Sequence, residues 1–263
     1  MKPNSVTAII PARYGSTRFE GKPLVDILGK PMIRRVYERV SRSKLVSDVI
    51  VATDDRRIYE AVRAFGGQVV MTGSHHVSGT DRVAEVARRL KSEIILNVQG
   101  DEPLIKPSLI DKAVHPLLAD KKSVMSTLMT RLRNVDDWLN PNIVKVVTDE
   151  EGVALYFSRS PIPFPRDLKI EGFSSAFAKN RVPLPKKFHK HIGVYVYRRE
   201  FLLKISKMKP TPLEKWERLE QLRVLENGFR IKVVAVNYEP VCVDTPEDLK
   251  KVITLLSPSE RHS

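Results

Sequence analysis

Residues 6–24 read VTAIIPARYGSTRFEGKPL. The opening run Val6–Ile10 is apolar and rich in β-branched side chains, which suits a strand buried on both faces and predicts a stop at Pro11. A basic, glycine-containing loop follows from Ala12 to Gly21. Arg13, Arg18 and Lys22, the hydroxyls of Ser16 and Thr17, and Gly15 and Gly21 thus stand directly after a strand. Glycine permits tight turns and bares backbone donors, while the cations suit a polyphosphate. The spacing is not that of a GxxxxGK[ST] loop, because Pro23 stands where the hydroxyl is needed, and it is not GxGxxG. On spacing alone, a basic surface turn explains the stretch equally well.

Outward from this loop the pattern repeats. After Pro31, which suits a first helical turn, Ile33, Val36, Tyr37 and Val40 recur at helical spacing. Val49–Ala52 predicts a second strand. A helix carrying Ile58, Ala61, Val62 and Phe65 follows, capped by Thr53 or Asp54 and closed by Gly66-Gly67. Gln68–Met71, the helix Gly79–Leu90, the strand Ile94–Val98 and the helix Leu109–Leu118 continue the alternation. Short apolar strands alternating with helices predict an α/β fold, a mostly parallel sheet with helices on both faces. Ligands in such folds bind beyond the carboxyl ends of the strands.

The second half is less regular. Val124–Leu128 and Ile143–Val147 read as strands, and Gly152–Ser158 as a partner for the latter. Ser160–Pro165 holds too many prolines for a central strand. Residues 166–188 form a basic connection without helical periodicity, read either as a loop that orders on binding or as a plain surface excursion. His191–Tyr197 predicts a strand, Leu213–Leu225 one helix stopped by Gly228, and Ile231–Val236 a final strand. Asp244-Thr245-Pro246-Glu247-Asp248 opens the last helix, which ends before Pro258.

Lys plus Arg number 45 and Asp plus Glu 31, for a net charge of +14 over 263 residues. The excess divides equally between residues 1–100 and 101–263. A nucleic-acid arm concentrates its charge, so this spread argues for small anionic substrates and against nucleic acid. Cys242 is the single cysteine, which excludes an internal disulfide framework and a cysteine zinc cluster. No apolar run approaches a membrane span, and MKPNSVTAIIPARYGS lacks a cleavable-signal layout. These features predict a reduced, cytoplasmic protein.

Two acidic positions bear on chemistry. Asn97-Val98-Gln99-Gly100-Asp101-Glu102-Pro103 sets an aspartate just beyond a buried strand, with Gly100 allowing close approach. Asp244 follows another apolar stretch, and two hard oxygen ligands on separate loops suit one Mg²⁺, or two shared between them, bridging phosphates. Asp244 serves equally well as a simple helix cap.

With these stretches in view, the chain resembles the 3-deoxy-manno-octulosonate cytidylyltransferases, the CMP-Kdo synthetases. The resemblance runs from about residue 6 to residue 252, through IPARYGSTRFEGKPL, VATDD, SGTDRVAEV, NVQGDEP, NPNIVKVV, YFSRSPIPF, KHIGVYVYRR, LEKWERLEQLRVLENG and VDTPEDL. The glycine loop with QGDEP indicates only the wider nucleotidyltransferase group, and SRSPIPF, HIGVYVYR and LEQLR narrow it to the Kdo branch. The resemblance implies a nucleotide-diphospho-sugar transferase-like cytidylyltransferase domain over 1–252, with an inserted sugar-binding and dimerisation portion over about 125–212, and a tail over 253–263. It implies that CTP and the acidic eight-carbon sugar Kdo give CMP-Kdo and pyrophosphate with Mg²⁺, in a homodimer that supplies lipopolysaccharide synthesis.

By the same resemblance, Arg13 and Lys22 bind the triphosphate with Ser16 assisting, and Asp101 and Asp244 hold the metal. Pro11, Ala12, Ser78 and Arg82 lie by the nucleotide, although SGTD is also the signature of a capped helix start. Gln99, Arg159, His191, Tyr195, Glu220 and Gln221 match the sugar-contacting set, with Arg159 as carboxylate partner. On one continuous helix the adjacent Glu220 and Gln221 reach one ligand only if the helix end faces it obliquely. The chain departs from the family's habit at Gly15, where alanine is frequent, at Phe19-Glu20, where leucine-proline is frequent, and at Cys242, where glycine is common. A cytidylyltransferase for an 8-amino octulosonate or another related sugar acid is the alternative.

Overall fold

Strands rich in Val and Ile on both faces need helices in their connections to keep them from water. The computed structural model describes residues 5–15, 19–76, 78–166 and 184–256. It divides into two compact units, Met1–Lys121 with Val194–Lys207 and Pro240–Ser263, and Lys122–Gly193 with Met208–Glu239.

In the first unit, β1 (Val6–Ala12) leads through the short ribbon β2 (Asp26–Ile27) and β3 (Lys30–Pro31) into helix α1 (Met32–Ser41). Then come β4 (Asp48–Thr53), α2 (Arg56–Ala64), β5 (Gln68–Met71), α3 (Gly79–Ala87), β6 (Ile94–Asn97) and α4 (Pro107–Ala119). The strands lie in the order β6-β1-β4-β5, all parallel. Residues 195–198 return to pair antiparallel with β6, Tyr195 opposite Asn97. Ile9, Ile10, Val51, Leu96 and the inward faces of the helices, such as Val36, Val62, Val83 and Val114, are buried.

Two local expectations change here. β1 does not stop at Pro11 but runs to Ala12, with Pro11 opposite Ala52 of β4. Pairing of β1 with β6 ends at Ile9 opposite Asn97, so the prolyl nitrogen sits where the strand has one neighbour and needs no donor there. The cap of α2 is Asp55, whose side chain accepts from Arg57 N, rather than Thr53 or Asp54.

The second unit holds β7 (Met125–Arg131), β8 (Lys145–Thr148), β9 (Ala154–Ser158), the first residues of β10 (His189–Arg198) and β11 (Ile231–Val236). β11 pairs parallel with β7, and β8 pairs antiparallel with β9 and with the start of β10. The proline-rich 160–165 stretch forms no strand. A separate apolar cluster of Leu132, Trp138, Leu184 and Phe188 anchors the segment before β8. The expected loop 166–188 falls mostly outside the described residues.

The expected helix Leu213–Leu225 is two short helices, Pro212–Glu217 and Gln221–Glu226. Arg218 between them is left-handed, at φ 52° and ψ 49°, which no α-helix accommodates. The second helix packs back on the first: Arg223 Nε donates to Glu214 Oε2 at 2.7 Å, and Leu213 N to Glu226 Oε2 at 3.1 Å. Among the described residues no helix is long and apolar enough to cross a membrane.

Candidate active site

Lys22 owes its place to Gly21. That glycine has φ +67°, and a Cβ there would stand 3.1 Å from the Tyr14 ring, so the basic loop closes tightly only with glycine. Gly21 N donates to Tyr14 O at 2.9 Å, and a short turn over Lys22–Leu24 follows with Pro23 buried. Asp101 comes from the turn beyond β6. This turn stands beside β1, a Cβ on Gly100 lying at an ordinary contact distance of 3.4 Å from Pro11 O, so the approach does not depend on glycine. Val243 N donates to Asp101 O at 2.9 Å and so ties the loop before the last helix (Pro246–Leu255) to the same turn. Beneath them Ile27, Met32, Val243, Val252 and Leu256 form one apolar cluster, with Phe19 and Leu104 packed against it.

The three loops thereby converge on one ammonium. Lys22 Nζ donates to Asp101 Oδ2 at 2.8 Å and to Asp244 Oδ1 at 3.0 Å. Burial alone lowers the pKa of Lys22, but the charges and hydrogen bonds of Asp101 and Asp244 outweigh it and leave the pKa above its usual value. Capping of the last helix falls to Thr245, which exchanges hydrogen bonds with Asp248 in a capping box, so the Asp244 carboxylate meets Lys22 instead. Cys242 keeps exposed surface. Its thiol is nevertheless pushed well up by desolvation, and further by Asp101, Glu102 and Asp244, which leaves no thiolate nucleophile.

Around this centre the other nucleotide candidates take varied places. Arg13 is exposed, Pro11 half-buried and Ala12 buried. Ser16 lies outside the described residues. Ser78 caps α3, accepting from Asp81 N at 3.1 Å. A Cβ on Gly79 would lie 3.4 Å from the Pro11 ring, so this helix start does stand beside the end of β1. The guanidinium of Arg82 is buried and turned inward, donating from Nη2 to Asp54 Oδ2 at 2.8 Å and from Nη1 to Thr72 Oγ1. One feature escaped the sequence reading: the Arg57 guanidinium lies over the Tyr14 ring, 3.2 Å from its centre, while pairing with Asp55. The phrase Asp-Asp-Arg-Arg held no cue to that stacking.

Of the sugar candidates, Gln99 and Tyr195 belong to the first unit. Gln99 is half-buried beyond β6, and Tyr195 stacks on Tyr197 with ring centres 6.2 Å apart. Asn97, also missed, is buried with its amide oxygen lacking a hydrogen-bond partner among the described residues. Arg159, His191, Glu220 and Gln221 belong to the second unit. Thr127 Oγ1 lies within hydrogen-bond distance of both His191 Nε2, at 2.8 Å, and Ile192 O, at 3.2 Å. Desolvation pushes His191 down to about 3, which keeps the imidazole neutral. The helix break places Glu220 immediately before the second short helix and Gln221 as its first residue.

Arg159 is half-buried and ordered by its own unit: Nε donates to Glu217 O at 2.7 Å and Nη1 to Pro141 O at 2.9 Å. Glu217 and Lys145 surround it, and neither was singled out from the sequence. A lysine inside the apolar run Ile143–Val147 was the available signal for Lys145.

A cytidylyltransferase family model matches residues 7–232. A 3-deoxy-manno-octulosonate cytidylyltransferase of Geobacter metallireducens is 59% identical over 252 residues, covering 96% of this chain and 98% of the relative. One of Geotalea uraniireducens is 60% identical over 251 residues, covering 95% and 98%. Among solved structures, a CMP:2-keto-3-deoxy-manno-octonic acid synthetase complexed with CTP is similar at a TM-score of 0.85 and 41% identity, covering 95% of this chain and 98% of that one.

Proposed function

Because this chain belongs to the 3-deoxy-manno-octulosonate cytidylyltransferase family, we propose that it carries out that family's reaction with Lys22, Asp101 and Asp244 at its centre. It transfers CMP from CTP to the anomeric hydroxyl of Kdo. The hydroxyl oxygen forms a bond to the α-phosphorus, the bond from that phosphorus to the bridging oxygen breaks, pyrophosphate leaves, and the hydroxyl proton is lost to solvent. The observation that carries the residue assignment is the meeting of one ammonium with two carboxylates, one of them in the turn beyond the carboxyl end of β6.

Asp101 and Asp244 are the residues to hold Mg²⁺. Their oxygens already converge on one cationic point, the Lys22 ammonium, and hard carboxylate oxygens are the donors this ion prefers. Two carboxylates suffice, because Mg²⁺ takes its other ligands from phosphates and water. When bound, the ion supplies charge neutralisation to the phosphates and lowers the proton affinity of the attacking hydroxyl. Lys22 and Arg13 offset charge on the triphosphate and on departing pyrophosphate, an electrostatic role that needs no proton transfer. Arg159 takes the sugar carboxylate, a task the neutral His191 ring cannot perform as a cation. Gln99, His191, Tyr195, Glu220 and Gln221 serve the hydroxyls, and Ser78 and main-chain groups at Pro11 and Ala12 adjoin the nucleotide.

The test is pyrophosphate release with Mg²⁺ and CTP, comparing no acceptor, Kdo, its 8-amino analogue and a nine-carbon sugar acid, with and without chelator. Release that needs Kdo and stops with chelator is expected. Preference for the amino sugar would move the substrate assignment while keeping the chemistry. The proposal extends to a homodimer, supported by the family resemblance. Light scattering would then report twice the 29.9 kDa chain mass.

A further inference from the structure

Lys145 is a charged residue in a buried strand, and it has no exposed surface. Its three ammonium hydrogens go to three backbone carbonyls: Asn140 O at 2.9 Å, Ile143 O at 2.6 Å and Arg159 O at 2.6 Å. An ammonium in such a place is costly and is held because each of its hydrogens meets a carbonyl. One of those carbonyls belongs to Arg159.

Glu217 grips the same residue from the other side. Its carboxylate accepts from Arg159 N at 2.8 Å and from Ser158 Oγ at 2.6 Å, and its own carbonyl accepts from Arg159 Nε at 2.7 Å. Pro141 O accepts from Arg159 Nη1 at 2.9 Å. Arg159 is thus held at its backbone N–H, at its backbone carbonyl and at two guanidinium nitrogens. Of the five N–H donors on a guanidinium, those not used in these contacts lie in a plane that the contacts fix.

We infer that Lys145 and Glu217 are positioning residues for the acceptor sugar: together they lock Arg159 so that its remaining guanidinium hydrogens present one preformed fork to the sugar carboxylate. The inference rests on the reading of Arg159 as carboxylate partner. Its physical content is preorganisation. A bidentate arginine contact gains affinity when the fork is already oriented and loses it when the side chain must be ordered on binding.

The charged groups facing Lys145 are Glu217, which favours the ammonium, and Arg159, which opposes it. Burial is the largest influence and brings Lys145 down to about 8. Tyr156 also faces Glu217. Burial and then the charge of Glu217 push its phenol up, so it stays neutral across that pH range. As pH rises through about 8, Lys145 loses a proton, and one of its three carbonyls loses a donor.

The experiment is steady-state kinetics on the full chain, varying Kdo and CTP separately, for the parent, Glu217→Gln, Lys145→Met, Lys145→Arg and Arg159→Ala. Glu217→Gln and Lys145→Met are expected to raise KM for Kdo about tenfold or more, the usual effect of losing a charge-assisted hydrogen bond, and to leave KM for CTP unchanged. In the parent, KM for Kdo is expected to climb as pH passes about 8. Lys145→Arg, which keeps its charge, is expected to remove that climb. If Lys145→Met fails to fold, the near-isosteric Glu217→Gln and the parent's pH profile decide. A folded Glu217→Gln with the parent's KM for Kdo, while Arg159→Ala raises it, overturns the positioning role alone. An unchanged KM for Kdo in Arg159→Ala overturns the carboxylate assignment and the positioning role with it.

Discussion

Lys22 is a cation held between two anions in a half-buried site, and most of the proposed chemistry turns on it. Lys22→Met removes that charge at similar volume, and kcat is expected to fall about a hundredfold or more, the scale seen when one electrostatic donor to a transition state is deleted. Steady-state turnover at saturating CTP and Kdo checks this, and a Lys22→Met enzyme of parental kcat would remove Lys22 from the centre. Asp101→Asn is expected to cost at least as much and to leave the far-ultraviolet circular dichroism unchanged. His191, beyond its place among the sugar candidates, bears on stability. Its folded pKa of about 3 lies below the ordinary 6.5, so between these values the unfolded chain binds a proton that the folded chain does not. Stability from this residue is therefore complete above pH 6.5 and is lost as pH falls toward 3, at a slope of about 1.4 kcal/mol per pH unit. Denaturant midpoints at pH 6.5 and 5 measure it, and His191→Gln is expected to flatten the difference.

At the scale of elements, most of the first unit was legible in the sequence because each strand there is a short β-branched run bounded by polar loops. β5 and β11 fall on their expected residues, Gln68–Met71 and Ile231–Val236. Pro11 misled because a proline bars a strand only where a neighbour needs its N–H, and the partner strand that stops short at Asn97 is not visible locally. The break at Arg218 was illegible for a different reason. LEKWERLEQLRVLENG keeps helical periodicity throughout, and the break goes with partners that periodicity does not show, Arg223 to Glu214 and Glu217 to Ser158 Oγ and Arg159 N. Loops carrying Lys22, Asp101 and Asp244 were readable as candidates from their charge beside strand ends. Glu217 was not, because the groups it grips include backbone amides that have no letter of their own, and Lys145 left only its charge inside an apolar run as a sign. The left-handed Arg218 makes a prediction of opposite sign to that of a continuous helix. Arg218→Gly is expected to stabilise by about 1 kcal/mol, since glycine adopts this conformation without a Cβ penalty. In an uninterrupted helix the same change would destabilise by about 1 kcal/mol. Chemical denaturation distinguishes the two.

At the scale of the whole molecule, the chain runs through the first unit, builds the second from two separate stretches, and returns to the first twice. The nucleotide candidates lie in the first unit and Arg159, His191, Glu220 and Gln221 in the second, so a sequence-adjacent motif was never available to tie the substrates together. The net charge of +14 fits two anionic substrates. KM for CTP is expected to rise with added potassium chloride, as screening shortens the reach of the basic loop. A salt-independent KM would show that the net charge does not assist capture. The most direct measurement is phosphorus NMR of the complete reaction, CTP, Kdo and Mg²⁺ with purified protein. The predicted result is equal growth of a CMP-sugar phosphodiester and pyrophosphate, with neither formed when Kdo is omitted. Pyrophosphate or CMP produced at the same rate without the sugar, or no phosphodiester from well-folded protein, would contradict it.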